Sequence, residues 1–276
     1  MHKPPLTARL ASGLVRLAQR FAPMGRGKWW LRRKSSGWLV TRLETGPWIR
    51  ISGVSDFEWS VLDGNEGSED RTASLFLQLV SPGHVVIDVG ANVGFYSLTA
   101  ASLVGPAGRV VAFEPGPKTA SRLRENAALN GFANLVVVEA AVSDKPGVLR
   151  LHLGEDSEGN SLFDPGQEAT DSVEVSVLTL DAYAEAEGIA RVDLLKIDAE
   201  GAEVGIIRGA RRVLTGPDAP PVIVEANPLT LRTAGESVGS LRAELESLGY
   251  TIEVIEAMPW RGEVVENWLS KKPPHR

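Results

Sequence analysis

The fold is decided by residues 85–94, VVIDVGANVG, an apolar β-branched run followed by a turn with two glycines. The turn opens a helical stretch, whose free N–H groups attract a carboxylate or a phosphate. Glycines in such a turn let the backbone approach a ligand closely. We therefore predict that Asp88, Gly90, Asn92 and Gly94 bind a nucleotide-like cofactor, with Asp88 accepting hydrogen bonds from an ammonium group or a water. A turn made only for packing is the alternative.

The same alternation of apolar runs and helical stretches continues along the chain. The apolar runs are 85–89, 109–113, 135–139, 192–197, 221–225 and 250–255, and the helical stretches are 94–104, 117–130, 201–214 and 238–248. This order predicts an α/β fold with parallel βαβ units and a doubly wound sheet. Two further runs, 148–153 and 173–177, alternate like edge strands, and 264–269 is a candidate last strand.

A second acidic position follows the second apolar run. Glu114-Pro115 lies 24 residues after Gly90, where an acid can accept hydrogen bonds from both ribose hydroxyls of a cofactor. A solvated surface glutamate is the alternative. A dinucleotide fingerprint would need a third glycine for the pyrophosphate, and this turn lacks it. The spacing favours a cofactor with an amino acid group, such as S-adenosylmethionine, over a nicotinamide cofactor. A nicotinamide-dependent oxidoreductase and a non-catalytic cofactor-binding module remain as alternatives.

Polar side chains also end the fourth and fifth strands of the predicted sheet. Asp198 follows the buried fourth strand, and Glu200 and Glu203 come next, where acids are favourable at the start of a helix. Glu225 and Asn227 lie at the end of the fifth strand and share one strand face. The alternatives are an N-cap with acidic first-turn residues at Asp198, and a capped strand end at Asn227.

Together, residues 88–94, 114–115, 196–203 and 225–227, with 159–161 in the loop 154–172, resemble the FkbM family of methyltransferases. Lys-Ile-Asp-x-Glu-Gly-x-Glu, at 196–203, is the most specific of these elements. The resemblance covers roughly residues 65–260. It implies a class I methyltransferase fold, with a mostly parallel seven-stranded sheet whose last strand is antiparallel. It also implies S-adenosylmethionine-dependent O-methylation of a hydroxyl on a sugar, a glycolipid or a secondary metabolite.

An aliphatic hydroxyl must lose its proton to accept a methyl group, so a positioned base is expected. Of the four histidines, two are terminal, His84 precedes the first strand, and His152 lies in an edge-like segment. By elimination a carboxylate is the better candidate, and Asp198 leads. Glu200, Glu225 and Asn227 complete the predicted catalytic group.

A metal-assisted version of this site is an alternative. Asp198, Glu225 and Asn227 would then bind Mg²⁺, which would acidify the hydroxyl as a Lewis acid. Carboxylates that are only hydrogen-bonded at the sheet edge would explain the same residues.

The charge of the chain is unevenly distributed. Residues 1–50 carry eleven Lys/Arg and one acid, against 18 bases and 34 acids in the remainder. The acidic main part makes a nucleic-acid substrate improbable, because phosphate binding depends on Lys and Arg. The chain has no cysteine and no apolar run long enough to span a membrane, so a cytoplasmic location is expected.

The predicted organisation is a basic, Trp-rich extension at 1–64, a catalytic domain at 65–270 with the inserted loop 154–172, and a disordered tail at 271–276. Apolar residues at helical spacing between 6 and 21, interrupted by arginines, predict a basic amphipathic helix. Peripheral membrane contact is one interpretation of this helix. Packing on the main domain, or on a neighbouring subunit in a homo-oligomer, is the other.

Overall fold

The computed structural model describes residues 39–51, 70–153, 162–163, 171–216 and 218–273. The strands in this part of the chain are β1 (Leu39–Arg42), β2 (Trp48–Ile51), β3 (Val85–Val89), β4 (Arg109–Phe113), β5 (Leu135–Val138), β6 (Ala141–Val142), β7 (Gly147–Leu153), β8 (Asp171–Leu178), β9 (Leu194–Ile197), β10 (Val222–Ala226), β11 (Thr251–Trp260) and β12 (Glu263–Lys271). The helices are α1 (Asp70–Leu79), α2 (Phe95–Val104), α3 (Pro117–Asn130), α4 (Leu180–Ala186), α5 (Glu203–Arg208), α6 (Arg211–Thr215), α7 (Pro228–Thr233) and α8 (Val238–Ser247).

Seven strands form the central sheet in the order β11-β12-β10-β9-β3-β4-β5. β3 pairs in parallel with β4 and β9, and β10 pairs in parallel with β9. β12 is antiparallel to both of its neighbours. This arrangement confirms the predicted doubly wound, mostly parallel seven-stranded sheet with an antiparallel last strand. The order reverses beside β3, so the carboxyl ends of β3 and β9 border a crevice where such sheets bind ligands.

Both faces of the sheet are covered by apolar side chains, which is why its inner strands are almost wholly apolar. One core includes Phe76 of α1, Leu98 of α2 and Leu123 of α3. The other includes Ile206 of α5 and Leu241 of α8. Alternate residues of each strand enter opposite cores, and this places Asp88 and Lys196 on the face that α1 and α2 cover.

The segments predicted to alternate like edge strands do not join the central sheet. β7 and β8, which contain the runs 148–153 and 173–177, pair antiparallel, and β6 adds in parallel to β8. This three-stranded sheet has a small core of its own that includes Leu151 and Val175. Of the inserted loop 154–172, residues 162–163 and the first two residues of β8 are described.

The helical stretch predicted over 201–214 is two short helices, α5 and α6. The break comes at Gly209, where a Cβ atom would overlap the backbone oxygen of Ser143. The Gly209 carbonyl accepts a hydrogen bond from Asp181 N (3.0 Å). The Asp181 carboxylate in turn accepts from Arg212 N (2.8 Å) and so caps α6. The pattern of apolar residues continues through the break, which is why periodicity alone predicts one helix.

The hairpin β1–β2, which lies in the predicted N-terminal extension, is held by two buried asparagines of α3. The Asn130 side chain accepts a hydrogen bond from Trp48 N (2.7 Å) and donates one to Trp48 O (2.7 Å). These are the two backbone groups that a neighbouring strand would otherwise pair. Asn126 accepts from Arg50 N (2.8 Å) and donates to Val93 O (2.9 Å). The hairpin is thus tied to the turn that follows β3.

Several sequence predictions fall outside the described residues. They are the amphipathic helix at 6–21, most of the Trp-rich stretch, the motif at 159–161 and the last three residues of the tail. In the part of the chain that the structure does describe, no helix has the length and apolar character needed to cross a membrane.

Candidate functional site

A crevice opens at the carboxyl ends of β3, β4 and β9, and the glycine turn after β3 forms one side of it. Gly90 has a φ of 80°, and a Cβ atom there would overlap the carbonyl oxygen of Asp198. Gly90 N and Ala91 N both donate to Phe113 O at 3.0 Å, which ties the turn to β4. Gly94 also has a positive φ, of 101°, and a Cβ there would overlap Leu123. Gly90 is therefore required by its close approach to backbone, and Gly94 is favoured by its positive φ.

Glu114 and Pro115 lie at the end of β4 and line the same crevice. Glu114 is 5% exposed, and its Oε2 accepts from Asn92 N (2.9 Å) while its Oε1 accepts from Gly116 N (2.9 Å). Burial raises the pKa of Glu114 to about 7, against these two hydrogen bonds, which lower it. Each carboxylate oxygen keeps a second lone pair, so ribose binding by Glu114 stays a prediction that this geometry permits.

Asp88 and Asn92 present acceptor oxygens with no hydrogen-bond partner. Asp88 is buried, and its Oδ2 accepts from Ser97 Oγ at 2.5 Å. Its Oδ1, like Oδ1 of Asn92, is buried and unpaired in the described structure. Burial raises the pKa of Asp88 more than the nearby Lys196 ammonium lowers it. Buried acceptors without partners are costly. Asn92 lines the crevice, so its oxygen suits a group that brings donors, as the ammonium of S-adenosylmethionine would, whereas the predicted cofactor residue Asp88 is not among the lining residues.

Asp198 faces the crevice from the end of β9, and its partner is a buried lysine. Lys196 Nζ donates to Oδ2 of Asp198 at 3.1 Å, and the Lys196 side chain is 5% exposed against 30% for Asp198. The predicted N-cap alternative for Asp198 is wrong, because Ala202 occupies the N-cap position of α5. Asp198 therefore presents its carboxylate beside the glycine turn instead of capping a helix.

The turn that carries Glu200 is fixed from inside by Glu203. Glu200 and Gly201 have φ angles of 48° and 104°. Glu203 is buried, and its Oε1 accepts from Ala199 N (2.9 Å) and Gly201 N (3.2 Å). Burial raises the pKa of Glu203 to about 7. Glu200 lines the crevice from this turn, three residues before α5 begins, and not from the first turn of a helix as predicted.

Glu203→Gln should change how stability depends on pH. The folded-state pKa of Glu203 is about 7, above its unfolded value of 4.5. The stability that protonated Glu203 contributes is therefore present below pH 4.5 and is lost as the pH rises through 7. Gln keeps the Oε1 acceptor and never ionises. From pH 5 to pH 8, wild type should lose about 1–3 kcal/mol of unfolding free energy relative to the variant in urea titrations of the free protein.

Glu185→Gln is the matched control, because Glu185 is an exposed glutamate on α4. Its unfolding free energy should run parallel to that of wild type over the same pH range. A Glu203→Gln curve that also runs parallel would contradict the assigned pKa.

The other two predicted catalytic residues lie at the end of β10. Asn227 caps α7, with its Oδ1 accepting from Leu229 N at 3.1 Å, so the capped strand end considered from the sequence is observed. Glu225 lies in β10 opposite Asn267 of β12. Neither residue is among those that line the crevice with Asp198. Their catalytic role stays a prediction.

The Mg²⁺ alternative receives no support. In the ranges that the structure describes, no three His, Cys, Asp or Glu side chains are close enough to hold a metal ion. One oxygen of Asp198 is engaged by Lys196, and the Asn227 oxygen caps a helix.

Two contributions to the site were not predicted from the sequence. Lys196 and the Oε1 contacts of Glu203 organise the 198–201 turn, and both residues belong to the Lys-Ile-Asp-x-Glu-Gly-x-Glu run. A lysine inside an otherwise apolar strand was the available signal, because buried lysines need a partner. The small sheet also supplies apolar lining with Ala141, Val142 and Leu151, and the inserted loop supplies Leu162. No short sequence motif predicts that these apolar residues line the crevice.

Comparison with known proteins places these features in a family. The model of the family described as "Methyltransferase FkbM domain" matches residues 88–252, more than half of the chain. The chain is 33% identical over 201 residues to the 31-O-demethyl-FK506 methyltransferase FkbM of Streptomyces tacrolimicus, an alignment that covers 62% of this chain and 74% of that protein.

Two further relatives carry methyltransferase names. The 2-O-methyltransferase NoeI of Sinorhizobium fredii is 26% identical over 194 residues, which cover 63% of this chain and 79% of that protein. The hexuronic acid methyltransferase AglP of Haloferax volcanii is 28% identical over 168 residues, which cover 56% of this chain and 61% of that protein. The family predicted from residues 88–94, 114–115 and 196–203 is confirmed.

Proposed function

The chain belongs to the FkbM family of methyltransferases, and we propose that it is an O-methyltransferase acting on a hydroxyl of a sugar, a glycolipid or a secondary metabolite. S-adenosylmethionine is the methyl donor. The nicotinamide-dependent oxidoreductase and the non-catalytic module are not favoured, since the family model and the named relatives are methyltransferases.

One observation supports this proposal above the others: Glu114, the glycine turn and the Asp198 carboxylate line a single crevice. Gly90 and Asn92 provide backbone where a cofactor must lie close, and Glu114 offers acceptors for its hydroxyls. The unpaired Asn92 oxygen in the crevice lining fits a cofactor that carries an ammonium group. The Asp198 carboxylate lines the same crevice, is only part-buried and is bonded to Lys196.

An oxygen acceptor is inferred from the relatives. Two of their names specify methyl transfer to oxygen, and a third names a hexuronic acid as substrate. A small hydroxylated acceptor also agrees with an acidic chain, which disfavours a phosphate-backbone substrate.

The residues of the crevice have distinct tasks in this proposal. The bound cofactor supplies an electrophilic methyl group, and transfer is an in-line displacement that depends mainly on alignment. Glu114 and the glycine turn orient the cofactor. Asp198 accepts the proton of the acceptor hydroxyl on Oδ1, the oxygen that is not bonded to Lys196, as the acceptor oxygen bonds to the methyl carbon and the carbon–sulfur bond of the cofactor breaks. Leu151 of the small sheet and Leu162 of the inserted loop exclude water from one side of the crevice.

The function is tested by a methyl-transfer screen. The full chain is incubated with S-adenosylmethionine labelled in its methyl group and with panels of sugars, glycolipids and hydroxylated metabolites. Labelled methyl ether on at least one hydroxyl class is expected. Transfer only to nitrogen or carbon acceptors, or binding of NAD in preference to S-adenosylmethionine by calorimetry, would overturn the proposal.

We expect methyl transfer to continue undiminished in EDTA. The carboxylate of Asp198 is bonded to Lys196, and the Asn227 oxygen is used as a helix cap, so neither is preset for a metal ion. The measurement is the turnover rate before and after chelation. A loss of more than about tenfold that Mg²⁺ restores would reinstate the metal-assisted alternative.

A further inference from the structure

Lys196 is a charged residue in the middle of the sheet, next to the proposed site but outside the crevice lining. It lies in β9, is 4% exposed and stands directly opposite Asp88 of β3 in the parallel register. Its neighbours in the strand are all buried and apolar. Burying an ammonium group is costly unless it is paired, so its position calls for a specific role.

Resting on the proposed function, we propose that Lys196 is a positioning residue that holds the Asp198 carboxylate in the crevice in its reactive orientation.

Two contacts of Lys196 come from residues on the site side of the sheet. Its Nζ donates to Asp198 Oδ2 at 3.1 Å and lies 4.5 Å from the centre of the Tyr96 ring of α2. The aromatic face stabilises the ammonium group, and it fixes the side chain from the side opposite the strand. Lys196 is thus restrained before any ligand arrives.

Polar and charged groups of β3, α2 and α5 surround the Lys196–Asp198 ion pair. Asp88 of β3 faces Lys196, and α2 contributes Tyr96 and the Ser97 hydroxyl that bonds Asp88. Asp198 is also close enough to Glu203 of α5 for the two carboxylates to repel. Without Lys196, Asp198 would face these acids with no compensating cation from the described residues in contact with it.

The consequence for the reaction is geometric. The bond to Oδ2 fixes the carboxylate plane, so Oδ1 is directed consistently toward an acceptor. Loss of this restraint should lower turnover much more than cofactor affinity, because Lys196 does not line the crevice.

Lys196→Met and Lys196→Arg test the proposal, with Lys145→Met as control, since the Lys145 side chain is 85% exposed. Lys196→Met should lower kcat about 10–100-fold and leave the Kd for S-adenosylmethionine within about threefold. Lys196→Arg should restore part of kcat, and Lys145→Met should match wild type. An unchanged kcat in Lys196→Met, no recovery in Lys196→Arg, or equal losses in kcat and cofactor affinity would overturn the proposal.

A double-mutant comparison separates positioning from general destabilisation. In the Asp198→Asn background, Lys196→Met should produce no further loss of kcat, because the two residues act as one unit. A full additional loss would assign Lys196 a role independent of Asp198. If Lys196→Met fails to fold, Tyr96→Leu, which removes the ring beside Nζ, should lower kcat much more than cofactor affinity, and Tyr96→Phe should retain kcat.

One readout does not depend on turnover. A crystal structure of Lys196→Arg should retain the Asp198 carboxylate in place, whereas Lys196→Met, or Tyr96→Leu in its stead, should show it rotated. An unmoved carboxylate would overturn the positioning role even if the methyl-transfer screen succeeds. A wild-type chain that methylates no hydroxyl would overturn the proposed function, and the crystal structures would still decide the role of Lys196.

Discussion

Asp198→Asn is expected to lower kcat by about 10²–10³-fold, because a general base typically contributes about 10²–10⁴-fold to such a reaction. The amide is nearly the same size as the carboxylate and can still accept a hydrogen bond from Lys196. It cannot take up the proton of the acceptor hydroxyl. The Kd for S-adenosylmethionine should change little, since the cofactor contacts proposed here belong to the turn after β3 and to Glu114. Single-turnover rates and calorimetry give the two quantities.

Asp218→Asn is the control for this change, because Asp218 is exposed and precedes β10, at the opposite edge of the sheet from the crevice. It should have wild-type kcat and cofactor affinity. Full activity in Asp198→Asn would remove Asp198 as the base. The proton would then have to pass to another group at the crevice, of which Glu200 is the nearest in sequence.

Much of the fold follows from local sequence. Parallel strands buried on both faces must be nearly all apolar, so residues 85–89 and 109–113 are recognisable as strands β3 and β4, with bounds that the structure reproduces. The carboxyl ends of such strands meet at one edge, and this is why Glu114 and Asp198, which line one crevice, could be assigned to the same edge. Gly90 was predictable as a turn glycine of close approach, and the atom that it approaches is the carbonyl oxygen of Asp198.

The parts that were not predicted depend on long-range contacts. The small sheet brings residues around 141, 151 and 177 together, and its strands have the same period of two as a strand at the edge of the main sheet. The break at Gly209 depends on Ser143, more than 60 residues away in the sequence. The spacing of apolar residues shows only which face of a helix or strand is apolar. It cannot identify the element that packs against that face.

The polar contacts of the site were also beyond local analysis. Asn227 was predicted as catalytic because it follows a strand in the correct sheet, but its side chain has a nearer target in the N–H of Leu229. Glu203 stands five residues after Asp198 and yet reaches back to two N–H groups of the intervening turn. The spacing of residues in the sequence predicts which of them lie near the edge of the central sheet. The backbone conformation of the turns then determines which hydrogen bonds each side chain forms.

Glu114→Ala is expected to weaken S-adenosylmethionine binding by about 10–100-fold. A hydrogen bond to a charged group contributes about 1.5–3 kcal/mol, and the variant loses the acceptor proposed for the ribose hydroxyls. It also leaves the buried N–H groups of Asn92 and Gly116 unpaired, which loosens the glycine turn. Both effects act on the cofactor, so the Kd from calorimetry should rise more than the KM for the acceptor.

Glu114→Gln separates ribose binding from support of the turn. Gln retains one acceptor oxygen for the turn but cannot offer a carboxylate. Because the pKa of Glu114 is about 7, wild-type affinity should decline as the pH falls through 7, when the protonated group becomes a donor. The Gln variant should bind more weakly than wild type at pH 8, and its affinity should not follow this decline. Unchanged affinity in both variants would remove Glu114 from the cofactor site, and a pH dependence that persists in Glu114→Gln would assign that titration to another group, with Asp88 the nearest buried carboxyl.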